Sequence, residues 1–351
     1  MTYMKCHLSE RVKISSPMVS LIMGVYNGDK YLKESIGSIL NQSFRDFEFI
    51  IINDGSTDKT GEILEGYNDE RLTIIKQEEN KGLTFSLNIA IDYMRGRYIA
   101  RMDADDISLP ERLEKQVQFL EDYSEYGLVG VTDEVIDKNG KTIGIEPRLL
   151  EDKEIKKGLI LGNQFCHGSV MFRREIIEKI GKYDYSLRYS QDYEFWLRVS
   201  RIYKIANLPD ILYRRRETQG NITSLFGKKQ RDYANMIRDF NLKEIIREER
   251  HKTVFPEYYK YQPDTGKELF ARDKHYIQRK KYFSKVCRAI GLKYLMLGEI
   301  KEARDEFLSA FRLSNINLLA LILWGYTFLN KYSVKGLKML YFIRDKISNG
   351  Q

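Results

Sequence analysis

Three acidic side chains stand close together in the segment Asp103-Ala104-Asp105-Asp106. Carboxylates this near to one another repel, so they do not all stay ionised without a cation. Oxygen ligands on a short loop suit Mg²⁺ or Mn²⁺, which take one or two protein carboxylates together with phosphate oxygens and water. The segment therefore predicts a divalent-metal site that holds a nucleoside diphosphate. The alternative is a solvated turn that caps the next helix, which explains Asp106 more easily than Asp103 or Asp105.

Three further polar segments lie upstream, each directly after an apolar run. They are Gly24-Val25-Tyr26-Asn27-Gly28, Asn53-Asp54-Gly55-Ser56-Thr57-Asp58 and Asn80-Lys81-Gly82. The Tyr26 ring can contact a base or a ribose, and the Asp54 carboxylate can accept a hydrogen bond from a pyrimidine N3–H or a ribose hydroxyl. Asp54 therefore favours uracil or thymine, with guanine left open. We interpret Asp58 as structural, an N-cap of the following helix.

The elements that must position these segments alternate between β-rich apolar runs and stretches of helical period. Strands are predicted at 19–25, 47–52, 72–75 and 98–102, and helices at 31–40, 60–67, 83–94 and from Pro110 to about Asp122. Such a series predicts a mostly parallel sheet with helices on both faces, which binds ligands at the carboxyl ends of its strands. All four polar segments are therefore expected at one edge. A hairpin turn at 137–141 indicates an antiparallel extension, and we assign residues 17–225 to one α/β domain.

The composition is that of an ordinary soluble globular protein of 351 residues, 42% hydrophobic and 12% aromatic. It excludes disordered and collagen-like proteins, and the length suggests about two domains. Cys6, Cys166 and Cys287 include no C-x-x-C pair, which excludes a disulfide scaffold or zinc ribbon and indicates a reducing compartment. Residues 1–17 lack the apolar run of a secretory signal, so we expect a cytoplasmic location.

The net charge of +8 is concentrated in the last third of the chain. Residues 1–225 carry 32 basic and 36 acidic side chains, whereas residues 226–351 carry 26 and 14. This asymmetry indicates a second, basic region, which is mostly helical in period. It is compatible with a solvated helical surface or with docking on an anionic membrane at the inner face of the plasma membrane. No nucleic-acid-binding module is recognisable, so nucleic acid is not an expected partner.

One part of the basic region, near 284–317, has the spacing of a single tetratricopeptide-like hairpin. Its small and aromatic positions are Gly291, Tyr294, Gly298, Ala303, Phe307 and Ala310. One such repeat cannot bury its own face, so neighbouring helices must cap it. The apolar run 318–329 is too short to span a bilayer and predicts a buried helix. Residues 331–346 predict a basic amphipathic helix suited to an anionic membrane surface.

Four ordered segments, 19–27, 53–58, 80–82 and 101–106, resemble the signatures of family 2 glycosyltransferases, and the resemblance extends over 17–225. It implies a GT-A fold, a nucleotide-sugar donor and inversion at the anomeric carbon. It also implies that Asp54 contacts the nucleobase, Asp103 the ribose and the metal, and Asp105 the metal that bridges both phosphates. The expected donor contacts are completed by residues of the same segments, namely Val25, Tyr26, Asn80 and Lys81.

An inverting transfer also needs a carboxylate that removes the proton of the acceptor hydroxyl. The family places this base at a helix start, and Ser190-Gln191-Asp192-Tyr193-Glu194-Phe195-Trp196-Leu197-Arg198 resembles that signature with Asp192 as the base. Many relatives have Glu where this chain has Gln191. The alternative role of Asp192 is an N-cap for a helix over 193–199, which is compatible with catalysis.

Two more candidates come from segments similar to the family. His167, in the segment 165–174, is expected either to line the donor or acceptor pocket or to be structural. In Tyr213-Arg214-Arg215-Arg216, Arg216 stands where the family often has a His near the metal or diphosphate. A guanidinium can clamp a diphosphate but cannot ligate a metal, which leaves a third protein ligand open. The alternative for these arginines is a solvated edge strand.

Together these features predict a metal-dependent, inverting glycosyltransferase that uses a UDP-sugar and a glycan or lipid-linked acceptor. The family's commonest role implies surface polysaccharide or lipopolysaccharide assembly. The alternative is a catalytically silent nucleotide-sugar-binding adaptor that recruits partners through its helical C-terminus; the intact Asp54, Asp103, Asp105 and Asp192 argue against it. A homo-oligomer is left open. Dehydrogenase and P-loop classes are excluded because their glycine-rich phosphate motifs are missing.

Overall fold

The computed structural model describes residues 16–218, 227–238, 287–292 and 300–313. From residue 19 to 101 the elements are β1 (Val19–Val25), α1 (Leu32–Leu40), β2 (Phe47–Asn53), α2 (Thr60–Glu65), β3 (Leu72–Lys76), α3 (Leu83–Tyr93) and β4 (Tyr98–Arg101). They are followed by β5 (Ile107–Ser108), α4 (Arg112–Asp122), β6 (Tyr126–Ile136), β7 (Thr142–Glu146), α5 (Asp152–Leu159), a 3₁₀ turn at His167–Ser169, β8 (Met171–Arg173), α6 (Glu175–Ile180), α7 (Gln191–Ser200) and β9 (Lys204–Arg216). Residues 227–238 (α8), 287–292 (α9) and Ile300–Leu313 (α10) are also helical.

One sheet organises the described strands, in the order β3-β2-β1-β4-β8-β6-β9-β5, with β7 paired to β6. The strands β3, β2, β1 and β4 are parallel, as the alternating pattern predicts. The strand β8 runs antiparallel to both β4 and β6, and β7 forms the predicted hairpin with β6. The carboxyl ends of β1 and β2 lie side by side, with Val25 opposite Asn53. The four polar segments therefore start from one edge of the sheet.

Both faces of the sheet are buried, which explains the continuous apolar runs of the parallel strands. Alternate residues divide between two hydrophobic clusters: Ile22 and Ile50 belong to one, and Leu21 and Phe49 to the other. The first cluster includes residues of α3 and α7, and the second includes residues of α1 and α4. The result is the predicted layer arrangement, with helices covering a central sheet.

The described C-terminal helices pack on the α/β domain. Ile237, Cys287, Ile290 and Ala310 share one hydrophobic cluster with residues of α5, including Ile155. The chain extends this contact with a buried ion pair, in which Lys157 Nζ of α5 lies 2.7 Å from Glu306 Oε1 of α10. These helices are therefore continuous with the core of the α/β domain.

The predicted hairpin near 284–317 is described only at α9 and α10. A Cβ added to Gly291 would lie 2.7 Å from the Phe307 ring, so these two helices approach closely there. The tetratricopeptide-like character of the hairpin stays a prediction. The helices predicted at 318–329 and 331–346 lie outside the described residues. Among the helices that are described, none is both long and apolar enough to cross a bilayer.

Candidate active site

The loops after β1, β2 and β3 are held together at the edge of the sheet. The Asp54 backbone N–H donates to the Val25 carbonyl (2.8 Å), and the Asn27 side chain accepts from the Thr57 backbone N–H (2.9 Å). Gly55 has a φ of +69°, and a Cβ there would lie 2.5 Å from the Glu79 carbonyl carbon. Only glycine fits this close approach in the left-handed region. Gly55 thus allows the segment at Asn80 to pack directly against the loop after β2.

The Asp54 carboxylate organises the loop after β3. It accepts hydrogen bonds from the backbone N–H groups of Lys81 (2.9 Å) and Gly82 (2.8 Å), and from the Gln77 side-chain amide (3.0 Å). These bonds occupy about three of the four lone-pair positions of a carboxylate. Asp54 is only 3% exposed. The predicted contact with a nucleobase stays a prediction, and it has about one acceptor position of Asp54 to use.

The other predicted donor contacts differ in exposure. Tyr26 is 50% exposed, so its ring face is accessible to a base or ribose. Asn80 and Lys81 are exposed, and Lys81 Nζ lies 5.2 Å from the centre of the Phe85 ring. The Val25 side chain is buried, so Val25 acts here through its carbonyl, which accepts from Asp54. Asp58 accepts hydrogen bonds from the backbone N–H groups of Asp29 and Thr60, which ties the loops after β1 and β2 together. Lys59 is at the cap position of α2, so the N-cap interpretation of Asp58 is wrong.

Asp103 follows β4 and lies in a tightly packed corner. Its carboxylate forms an ion pair with the guanidinium of Arg101, which is fully buried, and its backbone N–H donates to the Tyr213 hydroxyl (3.2 Å). The 3₁₀ turn closes this corner. A Cβ at Gly168 would lie 2.0 Å from Tyr213 Oη and 2.7 Å from Asp103 Oδ2. Gly168 therefore makes room for both side chains.

Asp105 and Asp106 differ in their partners. Burial and the neighbouring Asp103 raise the pKa of Asp105 to about 6. Asp106 is buried and accepts from the Arg216 backbone N–H (2.7 Å), which ties the loop to β9. The helix α4 begins at Arg112 and has no side-chain cap, so the helix-cap interpretation of Asp106 is wrong. The reason is tertiary: β9 supplies a backbone donor that the local sequence does not reveal.

The residues present fit a divalent cation of the Mg²⁺ or Mn²⁺ type. Burial and the neighbouring Asp103 raise the pKa of Asp105. Asp103 and Asp105 are therefore a pair of carboxylates that a cation would stabilise. No cluster of three or more His, Cys, Asp or Glu side chains suited to a metal exists among the described residues. Such a cation would therefore take Asp103 and Asp105 from the protein and its other ligands from phosphate and water.

Arg216 is buried, which corrects the interpretation of a solvated edge strand. The strand β9 lies between β6 and β5, and Arg216 is 3% exposed. Its Nη2 donates to Glu34 Oε2 (2.5 Å), and its Nε donates to the Asp105 carbonyl (2.9 Å). Its guanidinium also lies 4.3 Å from the centre of the Tyr31 ring. The structure thus makes Arg216 a support of the loop that carries Asp105, and the diphosphate clamp stays a prediction.

Asp192 lies in the first turn of α7. The helix begins at Gln191 with Ser190 at its cap position, so Asp192 is not the N-cap. Its Oδ2 accepts a hydrogen bond of 2.6 Å from Asn163 Nδ2. Burial raises the pKa of Asp192, whereas the Tyr193 backbone, Asn163 and the positive charge of Arg101 act to lower it. Asp192 therefore combines a half-buried carboxylate with three groups that favour its ionised form.

His167 belongs to an aromatic cluster beneath this corner. Its Nε2 lies 3.2 Å from the Tyr183 hydroxyl, and its ring packs edge-on against Tyr183 and Trp196. Burial and the charge of Arg101 lower the pKa of His167 well below its usual value, so the ring is neutral. Whether His167 also lines a ligand pocket stays a prediction.

Two residues of the site were not found by sequence reasoning. Arg101 begins the fourth polar segment, 101–106, yet only the fold shows that its charge acts on both Asp103 and Asp192. Asn163 carries no sequence signal of this kind, because it lies 29 positions before the carboxylate that it binds. Both contacts depend on how separate elements pack.

Comparison with known proteins agrees with this architecture. Residues 20–181 match the sequence profile of glycosyl transferase family 2. The chain is 40% identical over 229 residues to an uncharacterized glycosyltransferase of Methanocaldococcus jannaschii, covering 63% of this chain and 78% of that protein. It is also 40% identical over 185 residues to the O-antigen biosynthesis glycosyltransferase WbnJ of Escherichia coli, covering 52% and 71%.

Solved structures share the fold at low sequence identity. S. aureus TarS (residues 1–349) in complex with UDP-GlcNAc has a TM-score of 0.55 and 20% identity, covering 84% of this chain and 89% of that chain. A mannosyltransferase of Pyrobaculum calidifontis in complex with GDP-Man and Mn²⁺ has a TM-score of 0.50 and 16% identity, covering 95% and 87%. The fold is that of GT-A glycosyltransferases. The chain belongs to glycosyl transferase family 2 and is a glycosyltransferase.

Proposed function

We propose that the chain is an inverting, metal-dependent enzyme that transfers a sugar from UDP to an acceptor hydroxyl. The observation that best supports this is the buried Arg101, which pairs with Asp103 and whose charge also acts on Asp192. The Arg101 guanidinium is thus paired with one of the two carboxylates, and its positive charge favours the ionised form of the other. A donor-phosphate site at Asp103 and a base at Asp192 would then be adjacent, as a single displacement requires.

On the donor side, each polar segment would bind a different part of the nucleotide. The exposed ring of Tyr26 would contact the base or ribose, and the loop ordered by Asp54 would present Asn80 and Lys81. Arg216 would act indirectly, by holding the Asp105 carbonyl in place. Asp103 and Asp105 would hold a divalent cation, which offsets the negative charge developing on the leaving diphosphate.

On the acceptor side, Asp192 would act as the general base. The acceptor oxygen forms a bond to the anomeric carbon as the bond to the diphosphate breaks, and the electron pair of that bond leaves with the diphosphate. The hydroxyl proton passes to Asp192. The base must be ionised beforehand, and the Asn163 amide together with the charge of Arg101 favours that form against the effect of burial.

The biological setting that we propose is surface polysaccharide or lipopolysaccharide assembly. It is supported by the relative WbnJ, whose name assigns it to O-antigen biosynthesis. The acceptor would be a glycan or a lipid-linked sugar. A cytoplasmic location, with the basic region 226–351 against an anionic membrane, would bring the site to such an acceptor.

Thermal unfolding with nucleotides tests the donor side. The full chain is melted with UDP, dTDP or GDP, with and without Mn²⁺, because a ligand that binds only the folded state raises the melting temperature. We expect a Mn²⁺-dependent rise with UDP that Asp105→Ala removes and Asp192→Asn keeps. If none of the three nucleotides raised the melting temperature, the proposed donor class would be contradicted.

Turnover tests the acceptor side. With UDP-sugars that raise the melting temperature, we expect Asp192→Asn to lose sugar transfer while retaining donor binding. Unchanged transfer in Asp192→Asn would refute its role as the base. Donor binding without transfer or donor hydrolysis by the wild type would favour the adaptor function.

A further inference from the structure

The hydrogen bond between Asn163 and Asp192 has a fixed direction. Asn163 Nδ2 donates to Asp192 Oδ2 over 2.6 Å, while Asn163 Oδ1 accepts from the Phe165 backbone N–H over 3.0 Å. A backbone N–H can only donate, so it determines which end of the Asn163 amide faces Phe165. The other end, which carries the N–H donors, must then face the carboxylate.

The loop that carries Asn163 is itself held by buried contacts. The Gln164 side-chain amide donates to the Gly158 and Gly162 carbonyls (both 3.0 Å), and Asn207 Nδ2 donates to the Gln164 carbonyl (3.3 Å). Asn207 is fully buried and also donates to the Leu149 carbonyl (2.8 Å). The Asn163 amide is therefore presented by a well-anchored segment.

The charged and titratable groups that act on Asp192 come from separate elements. Arg101 of β4 lowers the pKa of Asp192, and Asp192 in turn raises the pKa of the buried Tyr183 phenol, which precedes α7. Burial raises the pKa of Asp192, and the Tyr193 and Asp192 backbone of α7 also acts to lower it. The Asn163 side chain donates a hydrogen bond to the carboxylate itself.

We propose that Asn163 is a positioning residue for the acceptor-side base, holding Asp192 Oδ2 so that Oδ1 receives the proton of the acceptor hydroxyl. This inference rests on the proposed function of Asp192. A donor that binds only Oδ2 limits rotation of the carboxylate and favours its ionised form. Asn163 would thereby set both the direction of the base and the pH at which it works.

The test measures the pKa of Asp192 in the full chain. The protein is titrated with pH, and the chemical shift of ¹³Cγ-labelled aspartate is recorded by NMR. The Asp192 signal is assigned by its loss in Asp192→Asn. In Asn163→Ser the hydroxyl still reaches the Phe165 backbone N–H, as Ser and Asn share this local turn, but it is too short to reach Asp192. Loss of one hydrogen bond to a charged group predicts a rise of about one unit in the pKa of Asp192.

The matched control is Asn207→Ala, which loosens the same loop without removing a contact to Asp192. We expect it to lower the melting temperature and leave the Asp192 midpoint unchanged. If Asn163→Ser proves unstable, Asn163→Ala is titrated as well. An unchanged Asp192 midpoint in the folded Asn163 variants, or an equal rise in Asn207→Ala, would overturn the inference.

Kinetics separate this inference from the proposed function. With the UDP-sugar that supports turnover, the acidic limb of the pH profile of kcat should move up by about one unit in Asn163→Ser, with donor KM unchanged. At higher pH the activity should return towards that of the wild type, which a collapsed loop would not show. Transfer retained in Asp192→Asn would refute the base assignment, and with it the catalytic role of Asn163, even if the Asn163 variants raise the Asp192 midpoint.

Discussion

Replacing Gly168 with Ala tests how closely the 3₁₀ turn approaches the Asp103 corner. The added Cβ would lie 2.0 Å from Tyr213 Oη, 2.8 Å from Tyr213 Cζ and 2.7 Å from Asp103 Oδ2. Tyr213 is fully buried, so it cannot move away without disturbing the core. Asp103 must shift as well, because its Oδ2 would also lie too close to the added Cβ. Overpacking of this kind costs about 1–3 kcal/mol of the free energy of unfolding. If a similar cost falls on the proposed ligand site, the Mn²⁺-dependent UDP binding that we propose should weaken by about tenfold or more.

Two measurements on the full chain check this prediction: urea denaturation for stability and calorimetry for UDP binding in the presence of Mn²⁺. The control is Gly162→Ala in the same loop, where a Cβ would meet no atom within 4 Å. We expect that control to stay within about 0.5 kcal/mol of the wild type and to bind UDP normally. If Gly168→Ala matched the control in both measurements, the packing argument for this corner would be wrong.

Two further predictions concern buried charges. The pKa of Asp105 is raised from 3.8 to about 6. Between these two pH values the folded protein keeps the Asp105 proton, whereas the unfolded chain has lost it. Asp105 therefore destabilises the metal-free fold increasingly as pH rises from about 4 to 6, and Asp105→Asn should raise the free energy of unfolding by about 1–3 kcal/mol at pH 7.5 but hardly at pH 4. Urea denaturation without metal measures this, and an equal effect at both pH values would contradict it. Lys157→Met should lose about 3–5 kcal/mol by leaving Glu306 buried and unpaired. The double variant Lys157→Met/Glu306→Leu should recover most of that loss, and a double variant no more stable than the single one would argue against the pair.

The parallel half of the fold could be predicted because its signals are local. Strands buried on both faces are continuous apolar runs, so β1 and β2 were predicted at 19–25 and 47–52, within one residue of the observed ends. The carboxyl ends of parallel strands meet at one edge, so the convergence of the polar segments also followed. The family was confirmed on the same motifs.

The partners of the site residues could not be predicted in this way. The sequence offers Asp54 as a ligand for a base, whereas the fold uses most of its acceptor positions to hold Lys81 and Gly82. Arg216 was a candidate clamp or a solvated residue, but it is buried against Glu34, 182 positions away. Such contacts depend on the order of strands in the sheet, which local periodicity does not encode.

The sequence by itself determined the class of fold, the order of the motifs and the family, because residue type and spacing express which faces are buried and which strand ends are polar. Only the tertiary structure decided that Arg101 acts on both Asp103 and Asp192, that Asn163 binds Asp192, and that the C-terminal helices share the core of α5. Each of these contacts joins elements far apart in the chain. Their geometry is set by how helices and strands pack, and a single stretch of sequence carries no record of that packing.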